Sequence, residues 1–78
     1  MNDIDFWQEV TGQPLLLGTK VRVCKNSPYY HDHAGIDFYI TGLFFKRDGR
    51  SVDITIGEEP YLQESDGWTI NDIELVKE

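Results

Sequence analysis

Cysteine is nearly absent from this 78-residue sequence, in which Cys24 is the only one. A single cysteine forms no internal disulfide, so the framework of a small secreted domain is excluded and a reducing compartment is expected. Long apolar runs are also lacking, since stretches such as Leu15–Leu17 fall far short of the roughly 20 residues that cross a bilayer. Residues 1–10 carry three acidic and no basic side chains, opposite in charge to a signal peptide. We therefore expect a cytoplasmic protein and, because it begins with methionine, a complete small gene product.

Cations are scarce as well: 7 lysines and arginines stand against 14 aspartates and glutamates, for a net charge of −7. This balance disfavours generic binding to nucleic acid or anionic membranes, because both require a cationic surface. The charge is uneven, with sums of −3 over residues 1–18, +3 over residues 19–50 and −7 over residues 51–78. A fold could still gather the six cations of the middle segment onto one face: Lys20, Arg22, Lys25, Lys46, Arg47 and Arg50.

The first segment of the chain predicts a short helix over residues 3–11, within an N-terminal arm of residues 1–17. Asp3 is the expected N-cap, and Gly12 suits the left-handed position that ends a helix. A helix this short is not stable alone in water. It must therefore pack through Phe6 and Trp7, either on the rest of the chain or on a partner.

Beyond residue 18 the apolar residues recur with a period of two, which is typical of half-buried strands. Gly42 interrupts one apolar strand and predicts a bulge, and Asp48-Gly49 predicts a hairpin turn with positive φ. The predicted strands cover residues 20–23, 38–45, 50–56, 68–70 and 74–76, with Val21, Val23, Val52, Ile54 and Ile56 facing inward. Two polar loops, 26–37 and 57–67, separate them. The pattern predicts an all-β fold, a five-stranded SH3-like barrel over residues 18–78, with an OB-fold as the main alternative.

Short motifs along residues 18–76 support this assignment: Gly18-Thr19-Lys20-Val21-Arg22-Val23, Ser27-Pro28-Tyr29-Tyr30, Gly35, the Asp48-Gly49 hairpin and the closing segment from Trp68 to Val76. The arrangement resembles the SH3-like barrels that are accessory chains of bacterial and plastid complexes. It is similar to the photosystem I subunit IV and ferredoxin–thioredoxin reductase variable-chain group, and KOW-type domains share its opening. The resemblance implies a scaffold or docking module with no chemistry of its own.

Residue types that bind metals occur together in His31-Asp32-His33, with Cys24 and Asp37 nearby in sequence. On a strand, His31 and His33 would point to the same side. Structural zinc sites, however, gather four ligands at recognisable spacing, and the chain has no second cysteine. We expect no metal and no cofactor.

Catalysis is not expected either. A Cys24–His31 pair would need a third orienting group and an anion cradle, and the sequence supplies neither beside Cys24. The carboxylates of the second loop are expected to be solvated charges, because no apolar segment surrounds them. The sequence therefore predicts that the chain is not an enzyme.

The aromatic residues point instead to binding. The branched aliphatic residues can already fill a barrel of this size, which leaves several tyrosines in surplus, and tyrosine is enriched at interfaces. The leading hypothesis is a protein-binding module, encoded by a bacterium, phage or plasmid, whose partner has a basic surface. The predicted contact residues are Tyr29, Tyr30, His31, Tyr61, Glu58, Glu59 and Glu64.

Two other functions stay open at this stage. The six cations named above could form a basic stripe that binds nucleic acid, with Tyr29 or Tyr30 stacking on bases. Alternatively, the acidic final segment could imitate nucleic acid in an inhibitor carried by a phage or another mobile element.

Overall fold

The computed structural model describes residues 2–76, which fold into five strands and two short helices. The helices are α1 (Asp3–Thr11) and α2 (Tyr30–His33). The strands are β1 (Lys20–Val23), β2 (Asp37–Phe45), β3 (Val52–Gly57), β4 (Ser65–Trp68) and β5 (Ile73–Leu75). Within this part of the chain, no helix has the length and apolar character needed to cross a membrane.

The strands form one antiparallel sheet in the order β4-β3-β2-β1-β5. The mostly-β class and the five-stranded sheet are therefore confirmed. The edge strands β4 and β5 are not hydrogen-bonded to each other within residues 2–76, so the sheet is open. Closure into a barrel stays a prediction.

The core lies on one side of the sheet, where the period of two predicted it. Val21 and Val23 of β1 and Val52, Ile54 and Ile56 of β3 are each at most 2% exposed. Ile40 lies between them on β2, as does Phe38. The core is completed by side chains from the two ends of the chain: Trp7, Leu15, Trp68, Ile70 and Ile73.

Helix α1 packs on its own sheet, which settles the choice left open by the sequence. Trp7 is 3% exposed and belongs to the core. The predicted N-cap is wrong: Asn2 caps the helix, its Oδ1 accepting a hydrogen bond from the Asp5 amide at 2.8 Å. The Asp3 carboxylate instead accepts from the amide of Val52 at 2.9 Å, and this bond ties the helix to the start of β3. Gly12 ends the helix with φ 74°, as predicted.

Several boundaries differ from the sequence prediction. The fourth strand was expected at residues 68–70, but β4 covers Ser65–Trp68 and a turn follows it. The closing strand begins one residue earlier than expected, and the third begins two residues later. The predicted 26–37 loop contains α2 and the first residue of β2. The bulge at Gly42 is confirmed, because the β2–β3 register shifts between Ile40 and Gly42.

The β2–β3 hairpin is confirmed at Asp48-Gly49, although only Gly49 has positive φ, at 71°. The Asp48 side chain holds the turn instead. Its Oδ1 accepts from the amides of Arg50 and Ser51 at 2.8 and 2.9 Å, and its Oδ2 accepts from the Ser51 hydroxyl at 2.8 Å. The hydrogen bonds from Ser51 and Arg50 lower the pKa of Asp48 to about 2.

The lowered pKa of Asp48 predicts how the stability of the fold changes at acid pH. Because the folded-state pKa lies below the unfolded one, the ionised Asp48 stabilises the fold fully above about pH 4, and the contribution is lost as pH falls toward 2. We expect Asp48→Asn to be less stable than the parent at pH 6 and to approach it near pH 2, as measured by urea unfolding across this range. A constant difference between the two proteins, or an ordinary pKa for the Asp48 carboxyl by NMR titration, would contradict this assignment.

Candidate functional site

The connection from β3 to β4, residues 58–64, is here called the acidic loop, and it is anchored at both ends. At its start, the Leu62 carbonyl lies so close to Gly57 that a Cβ there would overlap it. At its end, the Glu64 amide donates to Ile56 O at 3.2 Å, and Gln63 Nε2 donates to Thr41 O at 3.3 Å. The loop therefore folds back over the sheet and leads directly into β4.

The connection from β1 to α2 is fixed by Asp72, which belongs to the turn before β5. Its Oδ1 accepts from the Ser27 hydroxyl at 3.1 Å, and its backbone oxygen accepts from the Cys24 amide at 2.8 Å. Ser27 Oγ in turn accepts from the amide of Tyr29 at 3.3 Å. On the other side, Asp72 Oδ2 accepts from the amide and hydroxyl of Thr69. One aspartate thus joins the loop that carries Tyr29 to the turn that follows β4.

Tyr29 from this connection and His33 from α2 both meet Trp68 at the end of β4. The rings of Tyr29 and His33 both approach the Trp68 ring edge-on, with centroids 5.5 and 5.1 Å away. The His33 Nδ1–H donates to the Tyr29 carbonyl at 2.8 Å, since a carbonyl only accepts. The Trp68 indole N–H donates to Ser65 Oγ at 2.9 Å and fixes the ring from the other side.

These contacts enclose a half-open cleft of about 250 Å³, here called the aromatic cleft, lined by Tyr29, His33 and Ser65–Trp68. Trp68 is 5% exposed and forms part of its wall, whereas Tyr29 is 54% exposed. The carboxylate of Asp66 is the one charged side chain among the described lining residues.

Two further depressions continue along the same edge of the sheet. One of about 250 Å³ is lined by Phe44, Glu64 and Asp66 among others, and one of about 400 Å³ by Phe44, Asp53, Asp66 and Gly67. Asp66 is shared with the aromatic cleft, and no lysine or arginine is among the described residues that line any of the three. This edge therefore combines exposed aromatic rings with carboxylates.

The backbone of β4 is itself irregular. The partners Ile54↔Trp68 and Ile56↔Ser65 are two residues apart on β3 but three apart on β4, so β4 carries a bulge. Gly67 lies in it with φ 78°, a left-handed conformation that favours glycine. A bulge on an edge strand hinders pairing with another strand.

The predicted protein-binding residues fall into three places: the aromatic cleft, the acidic loop and α2. Tyr29 lies in the cleft. Glu58, Glu59 and Tyr61 are exposed on the acidic loop, and Glu64 at its end lines the neighbouring depression. Tyr30 is half-buried against the core, and His31 is exposed on α2. The cleft also contains His33, Asp66 and Trp68, which were not among the named contact residues, although His33 and Asp66 lie in the two predicted polar loops that carry them. The run Asp66-Gly67-Trp68 was the available signal, since it places a carboxylate beside a bulge glycine and an aromatic ring.

Five of the six cations are divided between the two ends of β2. Lys20 and Arg22 both contact Asp37, with Lys20 Nζ 3.6 Å from Oδ2 and the Arg22 guanidinium 2.7 Å from Oδ1. The hydrogen bond from Arg22 lowers the pKa of Asp37. At the other end, roughly 25 Å along an extended nine-residue strand, the hairpin carries Lys46, Arg47 and Arg50, and Lys46 Nζ lies 3.4 Å from Asp53. The exposed Lys25 belongs to neither group.

The run His31-Asp32-His33 lies in a helical turn rather than on a strand, so the expectation that His31 and His33 point to one side does not apply. Within residues 2–76, no group of three or more His, Cys, Asp or Glu side chains comes together as a metal site would need. Cys24 is half-buried, and its burial raises the pKa of the thiol.

Comparison of the chain with models of protein families, with curated proteins and with solved structures found no match. The resemblance to the photosystem I subunit IV group therefore stays a prediction.

Proposed function

We propose that this chain is a non-catalytic binding module of SH3-like architecture that holds a basic segment of another protein along β4. The observation that carries the proposal is the meeting of two sequence-distant loops around Trp68, which forms the aromatic cleft. The strand order supports the architecture, because β1 to β4 are neighbours in sequence order and β5 returns beside β1.

The chemistry of this edge favours a basic protein partner. Aromatic rings supply contact area at interfaces, and complementary charge supplies specificity and a faster association rate. Glu64, Asp66 and Asp53 line the depressions, and the whole chain carries a charge of −7. A nucleic acid would be repelled here, because its phosphates carry the same sign.

The irregularity of β4 indicates how such a segment would bind. A regular strand added to the edge would need successive N–H and C=O groups in register, and the bulge at Gly67 interrupts them. The segment would instead rest on β4 through side chains inserted into the three depressions.

A titration with peptides tests the proposal. We expect Lys- and Arg-rich 12-residue peptides to shift NMR signals of Tyr29, Glu64 and Asp66, and acidic peptides of equal length to leave them unchanged. The Glu64→Lys/Asp66→Lys variant should lose at least about tenfold in affinity, because two attractive charges become repulsive.

The matched control is Asp5→Lys/Glu9→Lys, which changes the net charge equally at exposed positions of α1. It should bind almost as well as the parent. If both variants weaken binding equally, binding depends only on the net charge of the protein and not on the β4 edge. If no basic peptide binds, the proposed function is wrong.

A further inference from the structure

The aromatic cleft has a size and a lining that together suggest one kind of occupant. Its volume of about 250 Å³ lies below the roughly 300–1,000 Å³ typical of sites for whole small-molecule ligands. A single side chain from a partner is the more fitting size. Because the cleft is half-open and adjoins two further depressions, that side chain can belong to a longer segment lying along β4.

The lining is rich in groups that attract a cation. Tyr29, His33 and Trp68 supply aromatic rings, and Asp66 supplies a carboxylate. The electron-rich faces of tyrosine and tryptophan attract cations, and arginine is found there more often than lysine. Since Nδ1 of His33 donates to the Tyr29 carbonyl, Nε2 of the neutral ring is an acceptor.

The cleft is also already formed before any ligand enters. Trp68 is held by Ser65, and Tyr29 is placed through Ser27 and Asp72. Walls that are fixed in advance lower the cost of ordering on binding. A site with fixed walls favours a rigid, planar group over a group that requires the surrounding side chains to rearrange around it.

We propose that the aromatic cleft binds the guanidinium group of an arginine side chain from the partner, stacked on the exposed ring of Tyr29 and hydrogen-bonded to Asp66. The planar guanidinium matches both features, because it stacks on aromatic rings and presents paired donors to a carboxylate. A lysine ammonium is a compact, strongly hydrated point charge, so it neither stacks on an aromatic ring nor presents paired donors to a carboxylate as a guanidinium does. This inference rests on the proposed function, and it specifies that the cleft selects an arginine of the basic segment.

The test uses the full chain and three blocked tripeptides, acetyl-Gly-Xaa-Gly-amide, in which Xaa is arginine, lysine or citrulline. Citrulline keeps the shape of arginine but has no charge. We expect the arginine peptide to shift the Trp68 indole and Gly67 amide signals, with a millimolar Kd. The Trp7 indole signal, which comes from the core, is the internal reference. The lysine peptide should bind at least about threefold more weakly, and the citrulline peptide at least about tenfold more weakly.

Two variants assign the effect to the cleft. Asp66→Asn keeps the shape and removes the charge, and Tyr29→Ala removes one ring; we expect each to weaken arginine binding by about three- to tenfold. Phe45→Ala is the control, because Phe45 is 67% exposed and lies outside the cleft. Equal binding of the citrulline or lysine peptide would overturn the inference, and so would wild-type affinity in Asp66→Asn.

The outcomes also separate this inference from the proposed function. If basic 12-residue peptides bind the parent, Tyr29→Ala and Asp66→Asn equally well, the binding module stands and the arginine cleft is wrong. If no 12-residue peptide binds while the arginine tripeptide still shifts Trp68, the cleft stands and a partner segment along β4 is wrong.

Discussion

Trp7→Ala is expected to lower the free energy of unfolding by about 3–5 kcal/mol, the range for removing a large buried aromatic side chain. Trp7 is 3% exposed and is the fully buried residue of α1. Domains of this length have a total stability of only about 4–12 kcal/mol. The variant should therefore be partly unfolded at modest urea concentrations, and Trp68, then the only tryptophan, reports the transition by its fluorescence.

Two control variants separate packing from hydrogen bonding. The Trp7 indole N–H has no hydrogen-bond partner among residues 2–76, so Trp7→Phe removes an unsatisfied donor as well as some volume and should cost under about 2 kcal/mol. Phe6→Ala changes the neighbouring side chain, which is 44% exposed, and should cost less than Trp7→Ala. A Trp7→Ala protein as stable as the parent would contradict the packing of α1 on the sheet.

Gly57→Ala is expected to destabilise the fold by about 1–3 kcal/mol, as overpacking a tight site does. The added Cβ would overlap the Leu62 carbonyl oxygen, which is backbone and cannot rotate away. The acidic loop must then move, and we expect the NMR signals of Thr41 and Gln63 to shift, since their hydrogen bond closes the loop on the sheet.

Gly49→Ala is the matched control for this change. A Cβ at Gly49 meets nothing within 4 Å, but its φ of 71° is strained for alanine, at a cost of about 1–2 kcal/mol. Both variants should lose stability, but only Gly57→Ala should disturb the acidic loop and the binding of basic peptides along β4. Unchanged Thr41 and Gln63 signals in Gly57→Ala would show that the loop does not depend on this close approach.

The parts of the fold that could be predicted from the sequence are those in which a strand's own residues determine its structure. In β1 and β3 the alternation of branched and polar residues is strong enough to specify both the strand and its buried face. By contrast, the sequence of Ser65–Gly67, the first three residues of β4, predicts a loop, because serine, aspartate and glycine have low strand propensity. It becomes a strand through backbone pairing with β3 and burial of Trp68.

The same reasoning explains the missed cap and the missed half of the site. Asn2 and Asp3 are both good N-caps, and the choice depends on the Val52 amide, which occupies the Asp3 carboxylate. The aromatic cleft joins His33 to Asp66 and Trp68, which lie more than 30 positions further along the chain. No local sequence pattern predicts a contact between residues so far apart in the chain. Acidic and aromatic character could be predicted for both loops, but not the rings that meet across them.

The bridge made by Asp72 gives the cleft a particular thermodynamic character. Because this one residue connects the Tyr29 segment to the turn between β4 and β5, loss of its hydrogen bonds would loosen both segments together. Fraying of β5, a three-residue edge strand that follows Asp72, would weaken this shared anchor in a single step, as expected for a cooperative unit of local unfolding. A ligand held between the walls would oppose that step, and so the occupancy of the cleft and the stability of the C-terminal edge are thermodynamically linked.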